Sequence, residues 1–329
     1  MRKAVNLSAA LSAVAAMVGA GFASGRELVV FFSGQGAPSW LGVAVACAGA
    51  GFLTGAISAL ARRTGRRELP GVFARTMGRG SGIAMQVVYT ALLVLCSAAM
   101  LSTGATLGAL TFPFHGSFLL GTAIVLISAL LLTRRGALPA AGLVLVAMMA
   151  AWYAALGVGQ ESSGVRVGGS VVISAASGMI YAAFNGAVAS GVVCLNAGEG
   201  VEPRRVGLYT GLLLAAMLIP ANWALLRADA SVREMALPSV VMAHKWGVAG
   251  YYLAICALFM AVVTTLSAAL SALRAQLTEL GLRPKQALFF SCAAALALSM
   301  AGLTALVGIG YPALGMVCAV MLLILLSFL

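Results

Sequence analysis

Apolar residues come in long runs of roughly 20 positions, parted by short polar stretches, and they do not alternate with period two. A helix of that length spans the hydrocarbon core of a bilayer. The missing alternation excludes the strands of an outer-membrane barrel. The runs predict about ten transmembrane helices, over about 5–33, 39–61, 83–110, 114–133, 137–158, 168–196, 206–226, 240–272, 286–305 and 308–328. The first follows Met1, Arg2 and Lys3 and has the basic start of a secretory signal, but its apolar run is too long for one and is read as a membrane helix. The longest connection, Arg62 to Gly82, is basic and glycine-rich and leaves no room for a soluble domain, so 1–329 is read as one membrane domain.

Composition agrees with this pattern. The hydrophobic set makes up 62% of the 329 residues and charged residues only 9%, with a mean hydropathy of +1.06. A soluble domain carries about 25% charged residues, so lipid is the expected partner. The net charge of +12 would suggest nucleic acid in a soluble protein. Here the basic residues follow the topology instead: with a cytoplasmic amino terminus, fifteen fall inside, four outside, and Arg26 lies within the first span. That asymmetry predicts a bacterial inner-membrane protein with both termini in the cytoplasm. The six cysteines are dispersed singly in apolar segments with no metal-ligand spacing, which predicts packing roles.

Ten spans divide into two sets of five, 5–158 and 168–329, and because five is odd the second set enters the membrane from the opposite side. Inverted repeats of this kind mark alternating-access transporters, in which interrupted helices of the two halves meet at a midplane site. Interruptions are therefore expected in spans one and six. Span one contains Gly19-Ala20-Gly21-Phe22-Ala23-Ser24-Gly25-Arg26-Glu27, and glycine disfavours helix by about 1 kcal/mol relative to alanine. Unwinding there would free amides for an anionic group and carbonyls for a cation. The same glycines could equally serve close helix packing. Span six carries Ser177-Gly178-Met179-Ile180-Tyr181-Ala182-Ala183-Phe184-Asn185-Gly186 at the corresponding depth. Tyr181 and Phe184 could wall a substrate there, and Asn185 could hydrogen-bond it.

These strings resemble the amino acid, polyamine and organocation transporter superfamily with its LeuT-like fold. Gly19-Ala20-Gly21-Phe22 is similar to its Gly-x-Gly-apolar signature, Tyr181 to Gly186 to its sixth-helix pattern, and Gly19 to Phe32 to the YkvI-like bacterial membrane proteins. The resemblance implies a substrate site at Gly19, Ala20, Gly21, Phe22, Ser24, Ser177, Tyr181, Phe184 and Asn185. It also implies a sodium site from the Ala15 and Val18 carbonyls with the Thr264 and Thr265 hydroxyls, and a gate at Arg26 and Glu27. Threonines in spans also bond back to their own helix, so the sodium assignment has an ordinary alternative. The fifth span holds no charged residue, which favours sodium over a fixed lysine.

The expectation is a sodium-coupled secondary transporter of a small amino acid or related zwitterion, with no cofactor beyond a sodium ion and no further metal. A nutrient receptor of the spore-germination type is the alternative. An enzyme is not expected, since no span carries a cluster of acids, bases or metal ligands beyond Arg26 and Glu27.

Overall fold

The computed structural model describes residues 2–112, 114–135, 137–159, 169–198, 200–235 and 237–328. The loop from 160 to 168, where the two halves were divided, lies outside them. Among the described residues every regular element is a helix. Among the described residues, eight helical stretches are long and apolar enough to cross a membrane, where the hydropathy pattern predicted ten spans. The shortfall has a physical cause. The first apolar run is broken into α1 (Arg2–Met17), α2 (Ala20–Ser24) and α3 (Arg26–Phe31), and the ninth, α14 (Pro284–Ser299), has 16 residues.

The spanning stretches are α4 (Ser39–Thr64), α6 (Arg79–Thr111), α7 (Ser117–Arg135), α8 (Leu138–Val158), α9 (Val171–Leu195), α10 (Pro203–Arg227), the stretch Pro238–Glu279 that ends in α13 (Gly247–Glu279), and the stretch Leu303–Leu326 that ends in α16 (Tyr311–Leu326). Short helices α5 (Leu69–Met77), α11 (Ala230–Glu234), α12 (Pro238–Ala243) and α15 (Leu303–Ala305) join them, and a π-helical turn over Leu306–Gly310 leads into α16. Pro220 sits inside α10 without ending it.

Helix α1 lies at the centre, against α8, α9, α10 and α13, and Ala13, Val14, Ala15, Ala16 and Val18 are fully buried. Alanines and valines there let four helices approach one axis, as expected where van der Waals fit and not water exclusion drives association. Phe52, Val87, Leu119, Val172 and Phe289 are exposed on the outside of the bundle, as expected of a surface that faces lipid.

The sixth predicted span, α9, runs without interruption from Val171 to Leu195, so the expected break at Ser177–Gly186 is not there. The small residues serve packing instead. A Cβ on Gly178 would overlap the Gly42 carbonyl oxygen, one on Gly49 would come within 2.9 Å of the Ala182 Cβ, and one on Gly186 within 3.3 Å of Leu53. Gly178, Ala182 and Gly186 are spaced by four, so they form a single stripe along which α9 meets α4.

Glu68, at the start of α5 in the connection between spans, is half-buried and one carboxylate oxygen has no hydrogen-bond partner. Burial, helped by repulsion from Glu279 and opposed by Arg66, pushes its carboxyl above the ordinary glutamate value of 4.5. The folded protein thus holds this proton more tightly than the unfolded chain, and this residue's contribution to stability falls as pH rises from 4.5 through the raised value. Glu68→Gln is expected to raise the melting temperature at neutral pH and to flatten its decline from acid pH, which thermal scans across that range would show.

Candidate functional site

Both joints of the broken first helix fall on glycine. The last α1-type bond runs from Val18 N–H to the Val14 carbonyl; Gly19 is then extended, with φ −103° and ψ −162°. Gly25, between α2 and α3, has φ +84°, a left-handed conformation that glycine adopts without steric cost. Backbone groups freed at these joints find partners on four other helices. The Ala20 N–H donates to the Met100 sulfur on α6 at 3.3 Å. The Thr265 hydroxyl on α13 donates to the Val18 carbonyl at 2.9 Å and lies 3.3 Å from that of Ala15. The Tyr153 hydroxyl on α8 donates to the Phe22 carbonyl at 2.6 Å, and Ser239 on α12 to that of Ala23 at 2.7 Å.

The predicted residues divide accordingly. Ala15, Val18 and Thr265 converge, whereas Thr264 bonds back to Met260 and Ala261 of its own helix, at 3.0 Å each. Residues adjacent in a helix point about 100° apart, so one of the pair had to face away. Ser24 stays local, donating to Gly21 O and accepting from Arg26 N–H. Phe22 packs edge-on against Tyr153. Ser177 is away from the break, taking a hydrogen bond from Gln35 at 2.8 Å. Phe184 stacks on Tyr311, with centroids 4.3 Å apart.

Glu27 is the decisive side chain. It is 2% exposed and folds back over α2, so that a Cβ on Gly21 would come within 2.6 Å of its Oε2. Its carboxyl faces Tyr181 and Asn185, yet Oε1 has no hydrogen-bond partner and Glu27 forms no ion pair among the described residues. The Asn185 amide nitrogen donates to Tyr181 O at 3.1 Å, leaving Oδ1 buried and unpartnered. Glu27 and Asn185 both line a small buried cavity that also includes Gly19, Cys96, Met100 and Tyr311. Its volume, about 10 Å³, suits a single water-sized particle. Met100, Cys96, Tyr311, Tyr153 and Ser239 were not foreseen. Their side chains look like ordinary span residues in one dimension, and only the cysteine carried a signal, which was read as packing.

Arg26 and Glu27 part company, as neighbours on a helix must. The Arg26 guanidinium donates to the Arg233 and Glu234 carbonyls at the end of α11, at 3.3 Å each. It also lines an open cavity with the stretch that includes Leu303, Gly308 and Ile309. Its partners are backbone carbonyls of α11, and among the described residues it forms no ion pair.

No protein-family profile and no curated protein matches the chain. Solved structures do. Three single-site mutants of the manganese transporter of Eremococcus coleocola are similar over 98% of this chain and 85% of theirs, one with histidine changed to alanine and two with a glutamate changed to glutamine or alanine. Their TM-scores are 0.56, 0.56 and 0.55, and their identities 13%, 14% and 14%. The fold is therefore shared with those membrane transporters. The expected membership in the amino acid, polyamine and organocation superfamily is corrected by this result: the similar structures named above are of a manganese transporter, and no family profile matches the chain.

Proposed function

We propose that this chain is a secondary transporter of a small cation, working by alternating access, with Glu27 as the group that holds the cation at the break of the first helix. The observation carrying this reading is a buried carboxyl group, without an ion pair among the described residues and with one oxygen unpartnered, beside a small buried chamber of about 10 Å³. A charge inside a span costs at least about 2.5–3.5 kcal/mol, and a mobile cation would offset that cost when bound. The zwitterion first expected fits less well. Its carboxylate would need the amides freed at α2, but Ala20 N–H is taken by Met100 and the space over Gly21 is filled by the protein's own carboxylate. Two like charges there would repel.

In this reading the chain crosses the bacterial inner membrane ten times, as sets 5–158 and 168–329 of opposite orientation with both termini cytoplasmic. The first set carries the break at Gly19 and Gly25. Arg26, held on α11, belongs to the gate between the chamber and the cavity beside α15 and the π turn. Sodium serves as the coupling ion, with oxygen ligands from Ala15, Val18 and Thr265.

Uptake by proteoliposomes under imposed sodium and membrane-potential gradients, with a panel of inorganic and organic cations, tests the carrier reading; absence of cation flux under every gradient would refute it. The coupling site makes a sharper prediction. Sodium at a hundredfold excess over its Kd would stabilise the protein by about 2.7 kcal/mol. Thr265→Val is expected to remove the sodium-over-potassium rise in melting temperature, and Thr264→Val to retain it, because only Thr265 faces α1. Equal behaviour of the two variants would refute the site.

A further inference from the structure

The donor atoms around the chamber are not those of a hard-cation site. Glu27 and Asn185 bring oxygens, but Met100 brings a thioether, and Cys96 lies beside it on the same helix and on the same cavity wall. All four are at most 2% exposed. The Met100 sulfur already lies at the break, accepting from Ala20 N–H, and it is held in place there because Gly19 leaves room for its methyl group: a Cβ on Gly19 would come within 2.9 Å of Met100 Cε. Sulfur donors prefer soft and borderline cations, whereas all-oxygen sets suit magnesium and calcium. The two unpartnered oxygens, Glu27 Oε1 and Asn185 Oδ1, complete a mixed set.

Building on the cation-carrier reading, we infer that the chamber selects a dehydrated, thiophilic divalent metal ion, bound by Glu27 Oε1, Asn185 Oδ1 and the Met100 sulfur, with Cys96 at its side. The carboxylate supplies charge and the thioether supplies discrimination. A chamber of about 10 Å³ excludes a hydrated ion as well as an organic amine while it is closed, so selection falls on the bare ion and its preferred donors.

Cadmium and calcium ions have the same charge and similar size but differ in softness, which makes them suitable probes. Thermal shift and calorimetric binding would be measured on the purified full chain in a Cys256→Ala, Cys292→Ala background, since those two thiols lie outside the chamber and are exposed or half-buried. Cadmium is expected to stabilise this protein at concentrations where calcium does not. Met100→Leu, which conserves volume, is expected to weaken cadmium binding by at least about tenfold and to leave calcium unchanged. Met100→Gln removes the sulfur but keeps an acceptor for Ala20 N–H, and it provides the same comparison if the leucine variant does not fold. Equal stabilisation by both ions, or cadmium affinity indifferent to loss of the sulfur, would overturn the inference. The two readings fail separately: Glu27-dependent flux of other cations without cadmium preference removes only the metal inference, while cadmium bound through Met100 without any flux removes the carrier reading.

Discussion

Glu27→Gln is expected to yield a folded protein, at least as heat-stable as the parent, whose cation flux is reduced about 10-fold to 100-fold. Glutamine keeps the volume of the side chain over Gly21 and its reach toward Asn185. It loses the charge, so the penalty of about 2.5–3.5 kcal/mol for an ion inside a span is relieved. The bound cation, in contrast, loses a charge-assisted interaction of about 1.5–3 kcal/mol, which weakens its affinity, and hence flux at sub-saturating cation, by roughly the stated factor. The opposite signs are diagnostic. A carboxylate that served the fold through an ion pair would lower stability when neutralised, whereas one that waits for a ligand lowers only transport. Gly21→Ala provides an independent route to the same end, because its methyl group would lie 2.6 Å from Glu27 Oε2 and must displace the carboxylate. Flux in proteoliposomes and melting temperature in detergent, measured on both variants, check the prediction; unchanged flux in Glu27→Gln would end the carrier assignment at this site.

Gly178→Leu is expected to cause the largest loss of stability of any single change considered. The clash is with the Gly42 carbonyl on α4, a backbone atom that cannot rotate away, so α4 and α9 must separate along the stripe that Ala182 and Gly186 continue. Overpacking a core costs about 1–3 kcal/mol where side chains can adjust, and here the cost is expected at or above the upper end. Met179→Leu is the control, since Met179 is half exposed on the outer side of the same helix and is expected to be neutral. Melting temperature and the yield of monodisperse protein would show the contrast. A Gly178→Leu protein as stable as the control would mean that the α4–α9 contact is looser than the structure shows.

These two sites also show what could be read in one dimension. Two glycine-containing strings, at Gly19–Gly25 and Ser177–Gly186, looked alike and were both expected to interrupt a helix. The first does and the second does not. Gly25 needs a positive φ and Gly19 an extended backbone, whereas Gly178 and Gly186 keep helical geometry and spend their missing side chains on contact with α4. Glycine content measures only how easily a helix breaks. Whether it breaks depends on the partners awaiting the freed groups: Thr265, Met100, Tyr153 and Ser239 stand around the first string, while the second lies flush against a neighbouring helix.

Hydropathy alone determined that this chain is a helical membrane protein, because the cost of burying charge and bare backbone in lipid acts on each segment separately. Local composition also placed the break in the first helix and singled out Arg26 and Glu27 as charges requiring a partner. What only the tertiary structure decided is direction. It chose Thr265 over Thr264, turned Glu27 into the chamber and Arg26 toward α11, and brought Met100 and Cys96 from an unremarkable apolar run to the same cavity. Those choices depend on which face of each helix meets which neighbour, and that is settled by packing between segments distant in the chain.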